Sequence, residues 1–446
     1  MRICAKIFCK IKKNTIFARE KCVYTQKSFH TMIIERNSYL NKLTNHRHNG
    51  MIKVITGIRR SGKSFLLFRL FKKFLTDEGI DDEHIIEMAF DDFGNRQYRN
   101  PEVFYGYVKK RINDGRMYYL LLDEVQLMDN FVDVLNGFLY MNNVDVYVTG
   151  SNARFLSKDI ITEFRGRGDQ IHISPLSFRE FMTVFQGSKE DGWAAYLRYG
   201  GLPPVVLQPT DEEREKLLHS LINETYLIDI LNRNRIKNDA ELAELFQILA
   251  SSIGALTNPQ KLSNTFKSVK KVSISTTTLK NYIDYLSEAF LIEPSNRYDV
   301  KGKKYISTPL KYYFTDMGLR NALLNFRQYE ETHLMENAIY NELRLRRWNV
   351  DVGAVIVNTR NEKGTSERKQ LEIDFVCNKG SKRCYIQSAL SLPDQEKMQQ
   401  ETNSLLRIDD SFQKTVITGG NAKPWTDNNG IQFLNIYDFL LGDLFE

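Results

Sequence analysis

Short apolar runs and helix-spaced apolar residues alternate along the first 150 positions of the chain. Residues 52–56 form an apolar run of strand length, and apolar residues from Phe65 to Leu75 recur at helical spacing, with Arg69 and Lys72 on the other face. Two further runs of strand length follow, at 117–122 and 144–149. The pattern predicts strands joined by helices, which is typical of an α/β fold.

The pattern is mainly helical from residue 176 onwards. Residues 176–235 carry apolar positions at helix spacing, interrupted by the turn 200–204. A helix over 242–253 follows, and Asn258 and Ser275 are N-cap residues for two more helices. A hairpin with a basic tip comes next, and its cations are Arg297, Lys301, Lys303 and Lys304.

Helix, turn, helix and basic hairpin in this order predict a winged helix-turn-helix. Its second helix would offer polar residues to a DNA groove, and the hairpin lysines would contact phosphates. The polar residues in question are Thr276, Thr277, Lys280 and Asn281. The same fold also serves protein contacts alone, so duplex DNA is one candidate partner and a protein is the other.

A glycine-rich loop directly follows the run 52–56. Residues 57–64 have the pattern G-x-x-x-x-G-K-S, in which backbone N–H groups and a helix N-terminus hold phosphate. Lys63 would contact the outer phosphates, and the Ser64 hydroxyl would bind Mg²⁺. The predicted ATP contacts are Gly57, Ile58, Arg59, Arg60, Ser61, Gly62, Lys63, Ser64 and Phe65.

A pair of acids ends the apolar run 117–122. Asp123 would bind Mg²⁺ through water, and Glu124 would orient and deprotonate the attacking water. Two acids after a strand are commonly just an exposed loop. The loop at 57–64 reverses that interpretation, because the two patterns together are what a nucleotide site requires.

Two polar segments after the apolar run 144–149 supply further candidate catalytic residues. Asn152 would contact the γ-phosphate or position water, and a simple turn residue is the alternative. Arg167, with Arg165 behind it, is a candidate arginine finger that stabilises transition-state charge, with an ordinary surface arginine as the alternative. A finger can act within one chain or between subunits, so oligomerisation stays open.

These motifs occur in a familiar order. They are GIRRSGKS at 57–64, LLLDEVQ at 120–126, VTGSNA at 148–153, FRGRGDQIHISPLSFREF at 164–181, YGGLP at 199–203, TYLIDIL at 225–231, HLMENAIYNEL at 333–343 and LEIDFV at 371–376. From about Arg36 to the end, the chain resembles prokaryotic AAA-type ATPases that carry a C-terminal domain of unknown function. The resemblance implies a P-loop domain with a parallel sheet flanked by helices, in which Lys63, Ser64, Asp123, Glu124 and Asn152 have the roles given above. For Arg167 it implies only a recurring Gly-Arg element.

Length and composition indicate several domains, because 446 residues exceed one ordinary core. We predict a basic, disordered extension at 1–31, an AAA P-loop core at 32–175, a helical segment of the ATPase module at 176–235, a winged-helix region at 236–330 and a nuclease-like domain at 331–446. The first segment carries eight Lys and Arg residues against one acid, and we expect Met32 to be the functional start.

The net charge and the positions of the cysteines limit the possible partners and the cellular compartment. The net charge of +7 favours polyanionic partners without requiring them. Three of the five cysteines lie in the first 31 residues, which argues against a secreted disulfide framework and favours the cytoplasm. No apolar run reaches 18 residues, so no membrane partner is expected.

Acids in the last predicted domain follow the order helix, helix, strand, strand. They are Glu336, Glu342, Glu372 and Asp374. The order resembles an α/β restriction-endonuclease-like core, in which a strand Asp and a downstream Glu-x-Lys bind Mg²⁺ and activate water. Gln387 and Ala389 stand where that Glu and Lys would be. Loss of both charges argues against an active nuclease and for a degenerate core kept for binding.

Three functions therefore fit the sequence. The leading one is a cytoplasmic ATPase that hydrolyses ATP with Mg²⁺ to change the pose of its DNA-binding and nuclease-like domains. The alternatives are an ATP-gated, Mg²⁺-dependent nuclease and an ATP-driven protein switch without a nucleic-acid role. The residues do not choose among them.

Overall fold

A parallel β-sheet forms the first part of the molecule. The computed structural model describes residues 33–150, 164, 166–236, 239–360, 366–443 and 445. Five strands hydrogen-bond in the order β2-β3-β4-β1-β5, and every neighbouring pair is parallel. The strands are β1 Ile52–Thr56, β2 Ile85–Ala89, β3 Tyr118–Asp123, β4 Val144–Thr149 and β5 Gly168–His172. The predicted α/β class with a parallel sheet is confirmed.

Continuous apolar runs build this sheet because both of its faces are covered. Every residue of β1 and β3 is buried. Successive side chains point to opposite faces, so Leu120 and Leu122 join one core while Tyr119 and Leu121 join the other. The covering helices and helical turns are Asn37–Asn45, Lys63–Phe65, Leu66–Phe71, Lys72–Asp77, Asp82–His84, Phe93–Arg99, Pro101–Arg111, Val125–Leu127 and Phe131–Phe138.

Helices make up the middle of the chain. They are Phe178–Met182, Lys189–Tyr199, Pro203–Val206, Asp211–Ser220, Leu221–Tyr226, Leu227–Asn234, Asp239–Ser251, Pro259–Thr265, Phe266–Lys270 and Thr276–Glu288. Asn258 and Ser275 cap their helices as expected, since each side chain accepts a hydrogen bond from a backbone N–H three residues later. One hydrophobic core joins most of these helices, and it also takes in Ile58 of the glycine-rich loop, whereas Phe178 and Phe181 belong to a second core.

An eight-stranded mixed sheet completes the described chain, in the order β12-β13-β11-β10-β9-β8-β6-β7. Its strands are β6 Ile292–Asp299, β7 Lys304–Phe314, β8 Asn349–Arg360, β9 Ser366–Lys379, β10 Lys382–Ala389, β11 Gln413–Thr418, β12 Trp425–Thr426 and β13 Gln432–Asn435. Its helices are Met317–Leu323, Glu331–Leu345, Gln395–Leu406 and Ile436–Leu441. Because β6 pairs in parallel with β8, the hairpin β6–β7 and the last predicted domain share one sheet.

Candidate active site

The loop after β1 has a backbone geometry that requires glycine. Gly57 has a φ of +145° and Gly62 a φ of +96°, angles that L side chains rarely adopt. A Cβ atom at Gly57 would also lie 2.2 Å from the carbonyl oxygen of Ile173, just after β5. Position 57 therefore excludes a side chain both by its backbone angle and by its contact with the neighbouring strand.

Lys63 starts the helical stretch after the loop, and its side chain turns back onto the loop. Its Nζ donates to the carbonyl oxygens of Gly57 at 3.0 Å and Ile58 at 3.1 Å. Burial lowers the pKa of Lys63 to about 8, and the neighbouring carboxylates of Glu124 and Asp123 limit the shift. A bound phosphate chain would add negative charge beside this ammonium and favour its charged form.

Ser64 and Asp123 meet across the edge of the sheet. Asp123 is only 4% exposed, and its carboxylate accepts hydrogen bonds from the hydroxyls of Ser64 and Thr149. Burial raises the pKa of Asp123, while the two hydroxyls oppose the rise. Because Mg²⁺ prefers hard oxygen ligands and would relieve the buried charge, this donor set fits Mg²⁺.

Thr149 connects the two acids, and the sequence reasoning missed it. It ends β4, the strand next to β3, so its hydroxyl lies beside the carboxyl end of β3. Besides donating to Asp123, its Oγ1 accepts from the backbone N–H of Glu124 at 3.1 Å. Glu124 has a φ of +52° and its carboxylate accepts from the amide of Gln126. The only available signal was a threonine at the end of an apolar strand.

A cleft of about 1010 Å³ opens beside these residues and is large enough for a nucleotide. It is lined by Arg59, Arg60, Gly62, Lys63, Ser64, Phe65, Glu124 and Gln126, and from other segments by Ile34, Arg36, Asp91, Leu127, Leu176, Pro203, Pro204, Leu207, Asp229, Asn232 and Arg233. Six of the nine predicted ATP contacts and Glu124 thus line one cleft, whereas Gly57, Ile58 and Ser61 do not line it. Its other walls come from segments distant in sequence.

Contacts from the middle helices hold the loop. Arg59 forms an ion pair with Asp229 at 2.5 Å, and the hydroxyl of Tyr226 donates to the Arg59 carbonyl at 2.8 Å. Arg36, which is 5% exposed, donates to the Ser61 carbonyl at 3.2 Å and pairs with Glu180 at 2.9 Å. These anchors depend on long-range packing and had no local sequence signal.

Arg167 lies at the opposite edge of the sheet from the cleft. Its carbonyl accepts from the backbone N–H of Ile52, the first residue of β1, whereas the glycine-rich loop follows the last residue of that strand. The five residues of β1 separate the two edges by about 16 Å. Arg167 is exposed beside the ring of Tyr140 and does not reach its own chain's cleft, so the predicted finger within one chain is not supported. Asn152 and Arg165 lie outside the described residues.

Family comparisons agree with this geometry. A family model described as an AAA domain matches residues 49–182, and one described as a domain of unknown function (DUF8612) matches residues 190–330. An uncharacterized protein of Haemophilus influenzae is 32% identical over 416 residues, which cover 92% of this chain and 99% of that protein. The chain belongs to the AAA-type ATPase family. The predicted resemblance to AAA-type proteins with a domain of unknown function is confirmed. The domain of unknown function matched here lies in the middle of the chain.

Other relatives of this AAA-type chain are more distant. An uncharacterized protein of Methanocaldococcus jannaschii is 27% identical over 344 residues, which cover 73% of this chain and 71% of that protein. Among solved structures, the Aeropyrum pernix ORC2 protein is 12% identical with a TM-score of 0.35, covering 65% of this chain and 92% of its own. The Aeropyrum pernix ORC1 protein in complex with DNA is 11% identical with a TM-score of 0.28, covering 66% and 93%. Scores this low carry no argument about function.

This AAA-type protein also presents the predicted groove-facing residues at its surface. Thr276, Thr277, Lys280 and Asn281 are all exposed on the helix Thr276–Glu288, and Lys301, Lys303 and Lys304 are exposed at the hairpin tip. Arg297 was expected at that tip but is 7% exposed, because it lies within β6 between Ile306 of β7 and Val352 of β8. Every helix in the described part of the chain is too short or too polar to cross a bilayer.

The acids of the last predicted domain converge only in part. Glu336, Glu372 and Asp374 meet around the ammonium of Lys311, which comes from β7. Glu342 lies elsewhere and pairs with Arg346 at 2.7 Å. Gln387 is beside the cluster, where its side-chain oxygen accepts from the backbone N–H of Asp374 at 3.4 Å. A lysine therefore enters the cluster from a strand that the sequence reasoning assigned to another domain.

Proposed function

We propose that this AAA-type protein binds ATP with Mg²⁺, hydrolyses it, and uses the nucleotide state to move a DNA-binding winged-helix region. The observation that carries the first part is the convergence of the glycine-rich loop, Ser64, Asp123 and Glu124 at one edge of the sheet. Part of the loop, Ser64 and Glu124 line one cleft, and the buried Asp123 is hydrogen-bonded to Ser64. In a parallel sheet the carboxyl ends of strands share an edge, so residues 60 positions apart can serve one ligand.

Five side chains and the backbone of the loop have tasks in this mechanism. The loop N–H groups and Lys63 bind the phosphates, and Ser64 with Asp123 would hold Mg²⁺, which would neutralise charge on the outer phosphates. Glu124 accepts the proton of the attacking water. Thr149 fixes the two acids relative to each other, because its hydroxyl bonds the Asp123 carboxylate and the Glu124 backbone.

Buried contacts support transmission from the cleft to the middle helices. Ile58 is fully buried in the same core as Tyr226, Leu279 and Ile283. Close-packed cores resist partial deformation, so a movement of the loop backbone displaces its neighbours. The helix Thr276–Glu288, whose other face is exposed and polar, would then change its position with the nucleotide state.

Duplex DNA is the partner we propose for that exposed face. Its polar residues and the three hairpin lysines have the chemistry of groove and phosphate contacts. The same surface would bind protein if the region is a switch without a nucleic-acid role. Salt dependence distinguishes the two, because contacts with DNA phosphates weaken steeply as salt rises.

A phosphate-release assay on the full chain tests the proposal. Glu124→Gln is expected to keep ATP binding in calorimetry while turnover falls by about 10²-fold or more, and Lys63→Ala is expected to lose binding. Glu102→Gln, which changes an exposed acid on the helix Pro101–Arg111, is the matched control and retains wild-type turnover.

The same assay with and without duplex DNA tests the partner. DNA is expected to change the wild-type rate at low salt and to lose that effect at high salt. Equal turnover of wild type and Glu124→Gln would reject Glu124 as the base. A rate indifferent to DNA, together with absence of DNA binding, would favour the protein switch.

A further inference from the structure

Lys311 has the environment of a bound cation. Its side chain is 3% exposed, and its Nζ lies 2.8 Å from Glu336 Oε1, 2.8 Å from Glu372 Oε1 and 3.6 Å from Asp374 Oδ1. These carboxylates come from the helix Glu331–Leu345 and from β9, while Lys311 comes from β7. One ammonium thus occupies the point on which three acids converge.

The surrounding hydrogen bonds hold the acids in this arrangement. The hydroxyl of Tyr313 donates to Glu336 Oε1 at 2.8 Å, and the backbone N–H of Ser388 donates to Asp374 Oδ2 at 2.8 Å. Glu336 and Asp374 are 6% and 8% exposed, so water contributes little to their solvation. Buried carboxylates need a compensating cation. Lys311 is within ion-pair distance of these two and of the partly exposed Glu372.

Ionisation of the cluster agrees with this geometry. Burial would lower the pKa of Lys311, but Glu336, Asp374 and Glu372 together raise it above its usual range. Burial and the neighbouring Glu336 raise the pKa of Asp374 to about 7. Lys311 therefore stays charged at neutral pH, and proton uptake by Asp374 removes part of the remaining negative charge.

A restriction-endonuclease-like centre would need Mg²⁺ among these same acids, and the residues present do not fit it. Mg²⁺ requires carboxylate oxygens at about 2.1 Å in octahedral geometry, but the oxygens of Glu336 and Glu372 already bind the ammonium. A dication beside Lys311 would be repelled at short range in a poorly solvated site. Across the described residues, no group of three or more His, Cys, Asp or Glu side chains is arranged to hold a metal ion.

We propose that Lys311 is the resident cation of this centre, and that it excludes divalent metal and fastens the hairpin β6–β7 to the last sheet. The cluster lacks a lysine at position 389 but has Lys311 from β7, which neutralises the acids instead of accompanying a metal. The winged-helix region and the last predicted domain are therefore joined through a buried ion-pair cluster. This inference does not depend on ATP hydrolysis.

Calorimetric titration with Mn²⁺ alone tests the proposal on four forms of the full chain: wild type, Asp374→Asn, Lys311→Met and the double variant. Wild type and Asp374→Asn are expected to give the same isotherm, because any Mn²⁺ at the nucleotide cleft is common to both. Lys311→Met is expected to gain one additional site that the double variant lacks. Lys414→Met is the matched control and is expected to gain no site, since the Lys414 ammonium donates to the carbonyls of Ile408 and Asp410.

Several results would overturn the proposal. A wild-type site that Asp374→Asn abolishes would show that metal binds beside Lys311. Magnesium-dependent DNA cleavage by wild type that Asp374→Asn removes would contradict it equally. Absence of a new site in folded Lys311→Met would show that something other than the lysine excludes metal. If Lys311→Met does not fold, Lys311→Arg replaces it and is expected to remain folded and metal-free. The comparison of wild type with Asp374→Asn then still shows whether metal binds beside Lys311.

Discussion

Replacement of Gly57 by alanine tests whether the loop geometry controls nucleotide binding. The new Cβ would lie 2.2 Å from the Ile173 carbonyl oxygen and 3.1 Å from its carbon. Ile173 cannot easily retreat, because its own N–H donates to the Thr56 carbonyl at 2.8 Å and its side chain is 1% exposed. The loop backbone must move instead, and its N–H groups then lose their alignment with the phosphates.

The expected loss of stability in Gly57→Ala has two contributions. A φ of +145° is strained for alanine, at about 1–3 kcal/mol, and relief of the clash adds to that cost. We expect the free energy of unfolding to fall by about 3 kcal/mol. If a similar free energy opposes nucleotide binding, ATP affinity falls by about 100-fold.

Gly79→Ala is the matched control. Gly79 also has a positive φ, +86°, but a Cβ there meets nothing within 4 Å. It is expected to cost about 1 kcal/mol of stability and to leave ATP affinity unchanged. The measurements are urea unfolding and calorimetric titration with ATP and Mg²⁺. Wild-type affinity in Gly57→Ala, or an equal loss of affinity in both variants, would refute the reasoning.

Two further predictions concern buried polar groups. Thr149→Val removes the hydroxyl that joins Asp123 to the Glu124 backbone. Loss of a buried hydrogen-bonding group costs about 1–3 kcal/mol, so we expect turnover to fall at least about tenfold. Thr402→Val, in the helix Gln395–Leu406, should keep wild-type turnover, and equal rates for wild type and both variants would contradict the role of Thr149. Burial raises the pKa of Asp316 to about 6, so the folded state binds more protons than the unfolded chain between about pH 4 and 6. The free energy of unfolding should therefore fall by about 3 kcal/mol as pH rises through that window. In urea unfolding, Asp316→Asn should lack this pH-dependent fall. Parallel pH profiles of stability for wild type and Asp316→Asn would count against this prediction.

Features encoded by adjacent residues could be predicted from the sequence. The run 52–56, the loop 57–64 and the helix after it are contiguous, so their order predicted a phosphate-binding loop. Together with the later motifs, that loop indicated the AAA-type family that the comparisons confirm. The caps at Asn258 and Ser275 depend on N–H groups three residues away and were equally readable. The assignment of individual catalytic and metal-binding roles stays a prediction.

Features that depend on strand order could not be predicted. Thr149 reaches both acids because β4 lies next to β3, which the sequence does not state. Arg167 is remote because β5 runs parallel to β1 and so begins at the opposite edge. Arg297 is buried because β8 pairs with β6. Lys311 meets acids that lie 25 to 63 residues later in the chain, because the hairpin β6–β7 belongs to the last sheet.

The connection between the cleft and the remainder of the molecule has two buried routes. In the proposed mechanism, Ile58 would carry loop movements into the core that contains Leu279. Independently, the Asp316 carboxylate accepts from the backbone N–H of Gly201 at 2.7 Å, in the turn that leads to Pro203 at the cleft wall. Asp316 also caps the helix after β7, so this second route ends on the sheet that Lys311 fastens. Because both routes start at the cleft and end on elements held in one sheet or core, nucleotide-driven movement should displace the helix Thr276–Glu288 and the hairpin together.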